Sequence, residues 1–384
     1  MKRVLPLFFL FVFVSVLLLP VGASAKEESL ASGCKAAYLC DQYSGDVAYE
    51  RNAEARLPIA SMCKIMTLLL CFEAEESGAF SFEDKICVSE RASSMGGSQV
   101  FLEAGGEYAA GDLIKSICIA SANDSCVAMA EKIAGSEEFF VKKMNERARE
   151  LGMENTVFSN CTGLPKEGQY SCAKDVAKML CRLLCHEKYY DYSRIWLDEM
   201  EHTGGRKTEM ANTNKLIRNY SGCDAGKTGY TSEAGFCLAA SAKRGNMRIV
   251  SVVIGAGDSK TRFRGVSEMF DYAFANYESR CVVDGKVCDD LIVCVTGGKK
   301  KEVAVRPERP VYLFCKKGSE ENVTVDAEVY DLKAPVDGGD VAGTLTVYRN
   351  GVEAESVPLL ANDSVARANY FDSLRDIADN WCIV

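Results

Sequence analysis

Apolar and polar positions change rhythm several times along this chain, and each change predicts an element. Residues 4–19 are apolar almost without interruption behind Lys2 and Arg3, and the small residues Ala23-Ser24-Ala25 follow. That pattern predicts a secretory signal peptide over residues 1–25, because the run is short for a membrane span and ends at a small-x-small cleavage site. Alternation next predicts two strands, at 36–40 and 47–50, joined through Ser44-Gly45 as a hairpin. From Ile59 to Leu70 the chain is apolar on nearly every face. A helix is therefore expected to start near Ala60, behind the turn set by Pro58, to be buried all round and to end at Gly78.

Two further helical runs, one at 113–119 behind an Asp112 cap and one from about Ser125 to Gly135, are interrupted by Ala120-Ser121-Ala122-Asn123-Asp124. Small polar residues at such a break either cap a helix or project Ser121 and Asn123 into a cleft. Ser136 then caps an amphipathic helix with Phe140, Val141, Met144, Ala148 and Leu151 along one stripe, closed by Gly152, which reads as packing. Gly163, Pro165 and Gly168 make residues 160–171 a loop beside that cleft, followed by a helix at 173–184. The segment Gly226-Lys227-Thr228-Gly229-Tyr230-Thr231 precedes antiparallel strands at 235–242 and 248–254, and Asp258 caps a helix with Val266, Met269, Phe270, Ala273 and Phe274 on its core side. From about residue 280 short alternating strands take over at 302–306, 310–314, 322–330 and 344–356, with Asn350-Gly351 as a hairpin turn. They predict a separate all-β domain.

Length fits two domains: residues 26–279 as an α+β unit with an antiparallel sheet and helices, and residues 280–369 as a small β-sandwich. A short amphipathic helix is expected over 370–384, with Tyr370, Phe371, Leu374, Ile377, Ala378 and Trp381 on one face. Its apolar stretch is about 18 Å long, too short to span a bilayer. The net charge is −9, and the absence of a basic cluster argues against a nucleic-acid partner. The 18 cysteines are spread singly along helix and strand patterns, so most read as small buried apolar residues rather than a disulfide framework. Cys181 and Cys185 beside His186 make half a metal site with no matching second half, so no metal or other cofactor is expected. With only His186 and His202 available, a histidine triad and a zinc protease are both poorly supported.

The candidate chemistry starts at Ser61. Lys64 lies three residues on, so on one helical face its amine reaches the Ser61 hydroxyl, and helix amides favour negative charge developing there. A lysine acts as a base only where burial or a second cation disfavours the ammonium. Lys227, in Lys227-Thr228-Gly229, is the second cation, on a strand where glycine leaves room for a ligand backbone. Arg262, near the start of the helix capped by Asp258, reads either as a surface arginine or as a second carboxylate ligand.

Ser61-x-x-Lys64, Ser121-Ala122-Asn123 and Lys227-Thr228-Gly229, in that order, are jointly the signature of penicillin-binding proteins and class A β-lactamases. The wording around them, and the segment Lys333-Ala334-Pro335-Val336-Asp337-Gly338-Gly339, most closely resembles the D-alanyl-D-alanine carboxypeptidases among the low-molecular-mass penicillin-binding proteins, over residues 30–370. The resemblance implies a β-lactamase/transpeptidase-like catalytic domain followed by the β domain, working outside the cytoplasm at the cell wall. It implies that Ser61 attacks the carbonyl between two D-alanines of a peptidoglycan stem peptide, with β-lactams as inhibitors. Lys64 takes the serine proton, Ser121 passes a proton to the leaving amine, and Asn123 orients Lys64 and the substrate amide. Lys227 and Thr228 hold the terminal carboxylate with Arg262 as helper, and the backbone amides of Ser61 and Tyr230 form the oxyanion hole. Relatives commonly lay a C-terminal amphipathic helix on the membrane, but Asp372, Asp376 and Asp379 against the single Arg375 predict weak contact here. Two other readings are a β-lactamase of the same fold, disfavoured because Glu167 lacks the flanking residues of a deacylating glutamate, and a catalytically silent cell-wall scaffold, disfavoured by three intact motifs.

Overall fold

The computed structural model describes residues 30–286, 288–372 and 374. The expected signal peptide, and Ile377, Ala378 and Trp381 of the C-terminal stripe, lie outside them.

The first hairpin forms where alternation placed it: β1 (Ala36–Asp41) pairs antiparallel with β2 (Val47–Arg51). β1 is buried at every position because both of its faces are covered. Ala36, Tyr38 and Cys40 enter one hydrophobic core, and Ala37 and Leu39 enter another across the sheet. The apolar run behind Pro58 becomes the helix α1 (Lys64–Glu76), with Ile65, Met66, Leu68 and Leu69 fully buried. Ser61 was expected in the first turn of that helix. It lies instead in a separate 3₁₀ turn, Ala60–Cys63, ahead of α1. A short hairpin, β3 (Lys85–Cys87) with β4 (Glu107–Ala109), brackets the small helix α2 (Glu90–Ser93).

Helix α3 (Ala110–Ile119) starts three residues earlier than expected, so Asp112 sits inside its first turn and bonds Lys115 at 3.0 Å; Ala109 holds the cap position. Helix α4 (Asn123–Ala134) likewise starts before Ser125, and Gly135 ends it in the left-handed region. Ser136 caps α5 (Glu137–Glu150) by accepting the Phe139 N–H, and Phe140, Met144 and Ala148 are buried. α6 (Ala173–Leu183) follows the loop at 160–171. The short helix α7 (Tyr189–Ser193), the hairpin β5 (Leu197–Glu201) with β6 (Lys207–Ala211), and the turn of helix α8 (Leu216–Asn219) fill a stretch where apolar periodicity is weak.

Strands β7 (Cys223–Thr231), β8 (Gly235–Arg244) and β9 (Met247–Ala256) complete a five-stranded antiparallel sheet in the order β2-β1-β9-β8-β7. α9 (Ser259–Asn276), capped by Asp258, covers one face with Val266, Met269, Phe270 and Ala273, and the larger helical core covers the other. β7 is therefore an edge strand. It faces the 3₁₀ turn that carries Ser61.

The change of texture expected near residue 280 falls within β10 (Tyr277–Val283), which runs on directly from α9. β11 (Cys288–Thr296), β12 (Glu302–Pro307), β13 (Val311–Lys316), β14 (Val323–Val329), β15 (Leu332–Lys333), β16 (Val341–Arg349) and β17 (Val352–Ala361) complete the β domain. A two-stranded β10-β13 ribbon packs with the six-stranded sheet β14-β16-β17-β12-β11-β15 over a core that includes Val293, Val305, Leu313, Val347 and Leu359. Asn350-Gly351 turns β16 into β17 as expected. The domains are joined by packing as well as by chain: Phe314 of β13 enters the core beneath α9 with Phe270 and Ala273, and Arg349 bonds Asp46 at 3.1 Å.

Candidate active site

The cleft is built from residues that break local rules. Ala60 sits at φ +47, which tightens the 3₁₀ turn and presents Ser61 ahead of the regular helix. Two glycines let other segments press against that turn. A Cβ on Gly163 would lie 2.0 Å from the Ala60 carbonyl oxygen, and one on Gly229 would lie 2.7 Å from the Ile59 carbonyl oxygen and 3.1 Å from the Ser61 nitrogen. Nothing larger than glycine fits at either position.

Lys64 is fully buried, and its Nζ lies 3.0 Å from Ser61 Oγ and 2.6 Å from the Thr162 carbonyl oxygen. Burial holds its pKa below the ordinary lysine value. Lys227 on β7 is buried too, and its Nζ donates to the Thr228 carbonyl at 3.2 Å. Burial first, then the charge of Lys64, pulls Lys227 down to about 7. Two ammonium groups sharing one buried site oppose each other, so their titration belongs to the pair. Losing one proton from the pair supplies a neutral amine, and Lys64 is the member within reach of the Ser61 hydroxyl.

Ser121 and Asn123 occupy the break between α3 and α4. The N-cap of α4 is Ala122 and makes no side-chain cap bond, so the capping alternative falls away. Ser121 sits at φ +64, and its buried Oγ has no partner among the described residues. Asn123 donates from Nδ2 to the Gly96 carbonyl at 2.7 Å and from its backbone N–H to the Ser98 carbonyl at 2.7 Å, while its Oδ1 is unpartnered. Asn123 was expected to orient Lys64. The Thr162 carbonyl holds that lysine instead.

On β7, Thr228 Oγ1 bonds Thr213 Oγ1 at 2.8 Å, and the Tyr230 ring is mostly exposed and tilted against Phe236 with ring centroids 4.3 Å apart. Arg262 is buried with its guanidinium between the Phe236 and Phe263 rings. Its Nη1 donates to the Gly229 carbonyl at 3.2 Å and the Cys237 carbonyl at 3.3 Å, and its Nε is unpartnered. Here Arg262 braces the strand carrying Lys227-Thr228-Gly229. The surface-arginine alternative falls away.

Asn160 and Thr162 belong to the site and were not singled out from the sequence, and Gly163, read there only as a loop glycine, joins them. The Asn160 Oδ1 accepts from the Gly163 N–H at 2.7 Å, the Thr162 N–H at 3.2 Å and the Thr162 hydroxyl at 3.3 Å, and its Nδ2 donates to the Leu164 carbonyl at 2.8 Å. One side chain thus folds the turn that presents a carbonyl to Lys64. The available signal was an asparagine three residues before a glycine in a Gly- and Pro-rich loop. A groove of about 430 Å³, lined by residues including Ala60, Leu164, Glu167, Thr231 and Glu233, opens beside the Ser61 turn.

A serine whose proton can pass to a neutral lysine on the same turn suits acyl transfer, and the antiparallel sheet between helical layers is that of the penicillin-binding, transpeptidase-like enzymes. Solved structures of the same architecture include penicillin-binding protein 5 from Haemophilus influenzae, with TM-score 0.68 at 28% identity over 87% of this chain and 98% of that one. The D-alanyl-D-alanine carboxypeptidase DacD from Francisella tularensis gives TM-score 0.65 at 25% identity, covering 87% of this chain and 94% of that one. A family model described as D-alanyl-D-alanine carboxypeptidase matches residues 23–258, and one described as penicillin-binding protein 5, C-terminal domain, matches residues 282–367. The chain is 40% identical to the D-alanyl-D-alanine carboxypeptidase DacF of Bacillus subtilis over 99% of both chains, and 31% identical to DacC of Escherichia coli over 96% of this chain and 92% of that one. This protein belongs to the D-alanyl-D-alanine carboxypeptidase family of serine peptidases.

Proposed function

We propose that this protein is a serine-type D-alanyl-D-alanine carboxypeptidase that removes the terminal D-alanine from peptidoglycan stem peptides through an acyl-enzyme on Ser61, and that β-lactams acylate the same serine. The observation that carries the reading is the 3.0 Å approach of a buried Lys64 amine to Ser61 Oγ, with Lys227 as a second buried cation. Ser61 Oγ attacks the scissile carbonyl while its proton passes to Lys64. The developing oxyanion meets the backbone N–H groups of Ser61 and Tyr230, each worth about 3 kcal/mol in such a hole. The unpartnered Ser121 hydroxyl relays the proton to the departing D-alanine amine, and Asn123 binds the substrate amide with its free Oδ1. Lys227 and Thr228 hold the substrate carboxylate, and Arg262, through its bonds to the Gly229 and Cys237 carbonyls, keeps that strand in place. Water then cleaves the ester and frees Ser61.

The cell-wall substrate implies a site of action outside the cytoplasmic membrane, reached through the expected signal peptide. Among the described residues no helix is long and apolar enough to cross a membrane. Tyr370 and Phe371 are 73% and 77% exposed, and the Lys299 N–H bonds the Ala366 carbonyl, which brings Lys299-Lys300-Lys301 close to them. This supports a weak peripheral contact with anionic lipid, limited by the acidic face of the segment.

A fluorescent penicillin tests the reading. Stable labelling at Ser61 together with D-alanine release from a pentapeptide is expected. Rapid drug turnover would mean a β-lactamase, and no labelling a silent scaffold.

A further inference from the structure

We propose that Phe101 is a substrate-contacting residue whose ring covers the stem peptide from the wall of the cleft that carries Asn123. This rests on the carboxypeptidase reading.

Phe101 has φ +59, a region that bulky side chains avoid. The backbone reason is visible. Val100 and Leu102 on either side are buried, and both direct their N–H groups to the Asp124 carboxylate, each 3.1 Å from Oδ2. A left-handed residue between them turns nearby amides onto one anion. Arg206 adds a hydrogen bond from its guanidinium to the Phe101 carbonyl at 2.7 Å. All of these contacts need a positive φ at position 101, and none needs a phenyl ring. Glycine or asparagine would make them with less strain.

Burial does not account for the ring either, since Phe101 is 55% exposed. Its position does. The loop that leads to it accepts two hydrogen bonds from Asn123, on the carbonyls of Gly96 and Ser98. A Cβ on Gly97 would lie 2.8 Å from Asn123 Nδ2 and 3.5 Å from Leu164, which lines the groove beside Ser61. The loop is thus one wall of the cleft, and Phe101 is its exposed crest, held at residues 100, 101 and 102. A pinned aromatic ring loses little freedom on contact and offers a broad apolar surface. The ligand it fits is an extended peptide that presents alkyl groups, such as the methyl groups of D-alanine, to the wall built by this loop.

The test is steady-state release of D-alanine from a stem pentapeptide by the Phe101→Gly and Phe101→Asn variants of the full protein, with the melting temperature of each. Both replacements suit the left-handed backbone. KM should rise about ten-fold with kcat changed less than about three-fold, while the melting temperature stays level or rises by a few degrees. Phe101→Tyr should restore KM. An unchanged KM overturns the proposal, as does a fall in melting temperature and kcat with KM intact, which would make the ring structural. Penicillin labelling of the unmutated protein, run alongside, tests the carboxypeptidase reading separately.

Discussion

The cleft and the β domain treat the same local rules in opposite ways. Around the cleft, Ala60, Phe101 and Ser121 hold positive φ angles without being glycine, whereas in the β domain the described residue that does so is Asn350, in an Asn-Gly hairpin turn suited to it. Ser121, Asn123 and Arg262 each bury an unpartnered polar atom, and no such atom is found among the described residues of the β domain. Lys64 and Lys227 are buried, while Lys299, Lys300 and Lys301 are exposed or nearly so. Strain, orphaned polar groups and buried like charges each oppose folding by about 1–3 kcal/mol. All three features coincide around Ser61, which marks the region shaped for a ligand, and the described residues of the regular β domain hold no reactive constellation.

The contrast breaks first at Ser61. Ser61→Ala should abolish penicillin labelling while leaving the melting temperature within a few degrees, because only a hydroxyl leaves a turn held by Gly163 and Gly229. Persistent covalent labelling of that variant would remove the assignment.

A pair of glycines sharpens it next. Gly163→Ala adds a methyl 2.0 Å from the Ala60 carbonyl oxygen at φ +80, whereas Gly351→Ala has the same φ and nothing within 4 Å. The first should destabilise by roughly 3 kcal/mol or more and lose labelling, the second by about 1 kcal/mol with labelling kept. Equal effects in denaturant titrations would show that close packing at the Ser61 turn is not what singles out the cleft.

Lys227→Ala should reduce kcat/KM for D-Ala-D-Ala peptides by roughly 1.5–3 kcal/mol, mainly through KM, since a charge-assisted carboxylate contact is lost. It also removes a like charge from beside Lys64. The rising limb of the pH–rate profile, which follows deprotonation of Lys64, should then move to higher pH. In the unmutated protein the falling limb should reflect loss of the charge that remains on the pair, giving a bell that belongs to both lysines together. A limb that stays in place would mean the two lysines do not interact.

Stability should follow the same pair. Folded Lys227 releases its proton above about 7, whereas the unfolded chain keeps it until near the ordinary 10.5. Between those values the unfolded state binds more protons, so this group makes stability rise with pH. Comparing Lys227→Met with the unmutated protein by urea unfolding at about pH 7 and about pH 9.5 isolates it: the stability gained from the substitution should shrink at the higher pH. The smallest effect is expected at the far end of the β domain. The chain lacking residues 1–25 should bind anionic vesicles weakly, and tight binding lost on removing residues 370–384 would make that segment an anchor.

Much of this molecule follows from local patterns. Period-two alternation specifies the 36–51 hairpin and the β16-β17 turn, unbroken apolarity specifies a buried α1, and the i, i+3 spacing of Ser61 and Lys64 brings hydroxyl and amine together on any helical backbone. Those relations depend on neighbours only a few residues apart, so the linear order of side chains by itself determined them. Joint occurrence of the three motifs was equally legible, and with it the family. Which atom holds Lys64 was not: the Thr162 carbonyl is 98 residues away and is presented by a turn folded around Asn160. The stance of Arg262 against the Gly229 and Cys237 carbonyls depends on how α9 packs across the sheet, and the positive φ of Phe101 depends on Asp124 gathering the amides on either side of it. Burial, which moves the two lysines toward neutrality, is likewise a property of the assembled core. Only the tertiary structure decided these features, because each arises from segments distant in the chain that meet once the sheet and its two helical layers close.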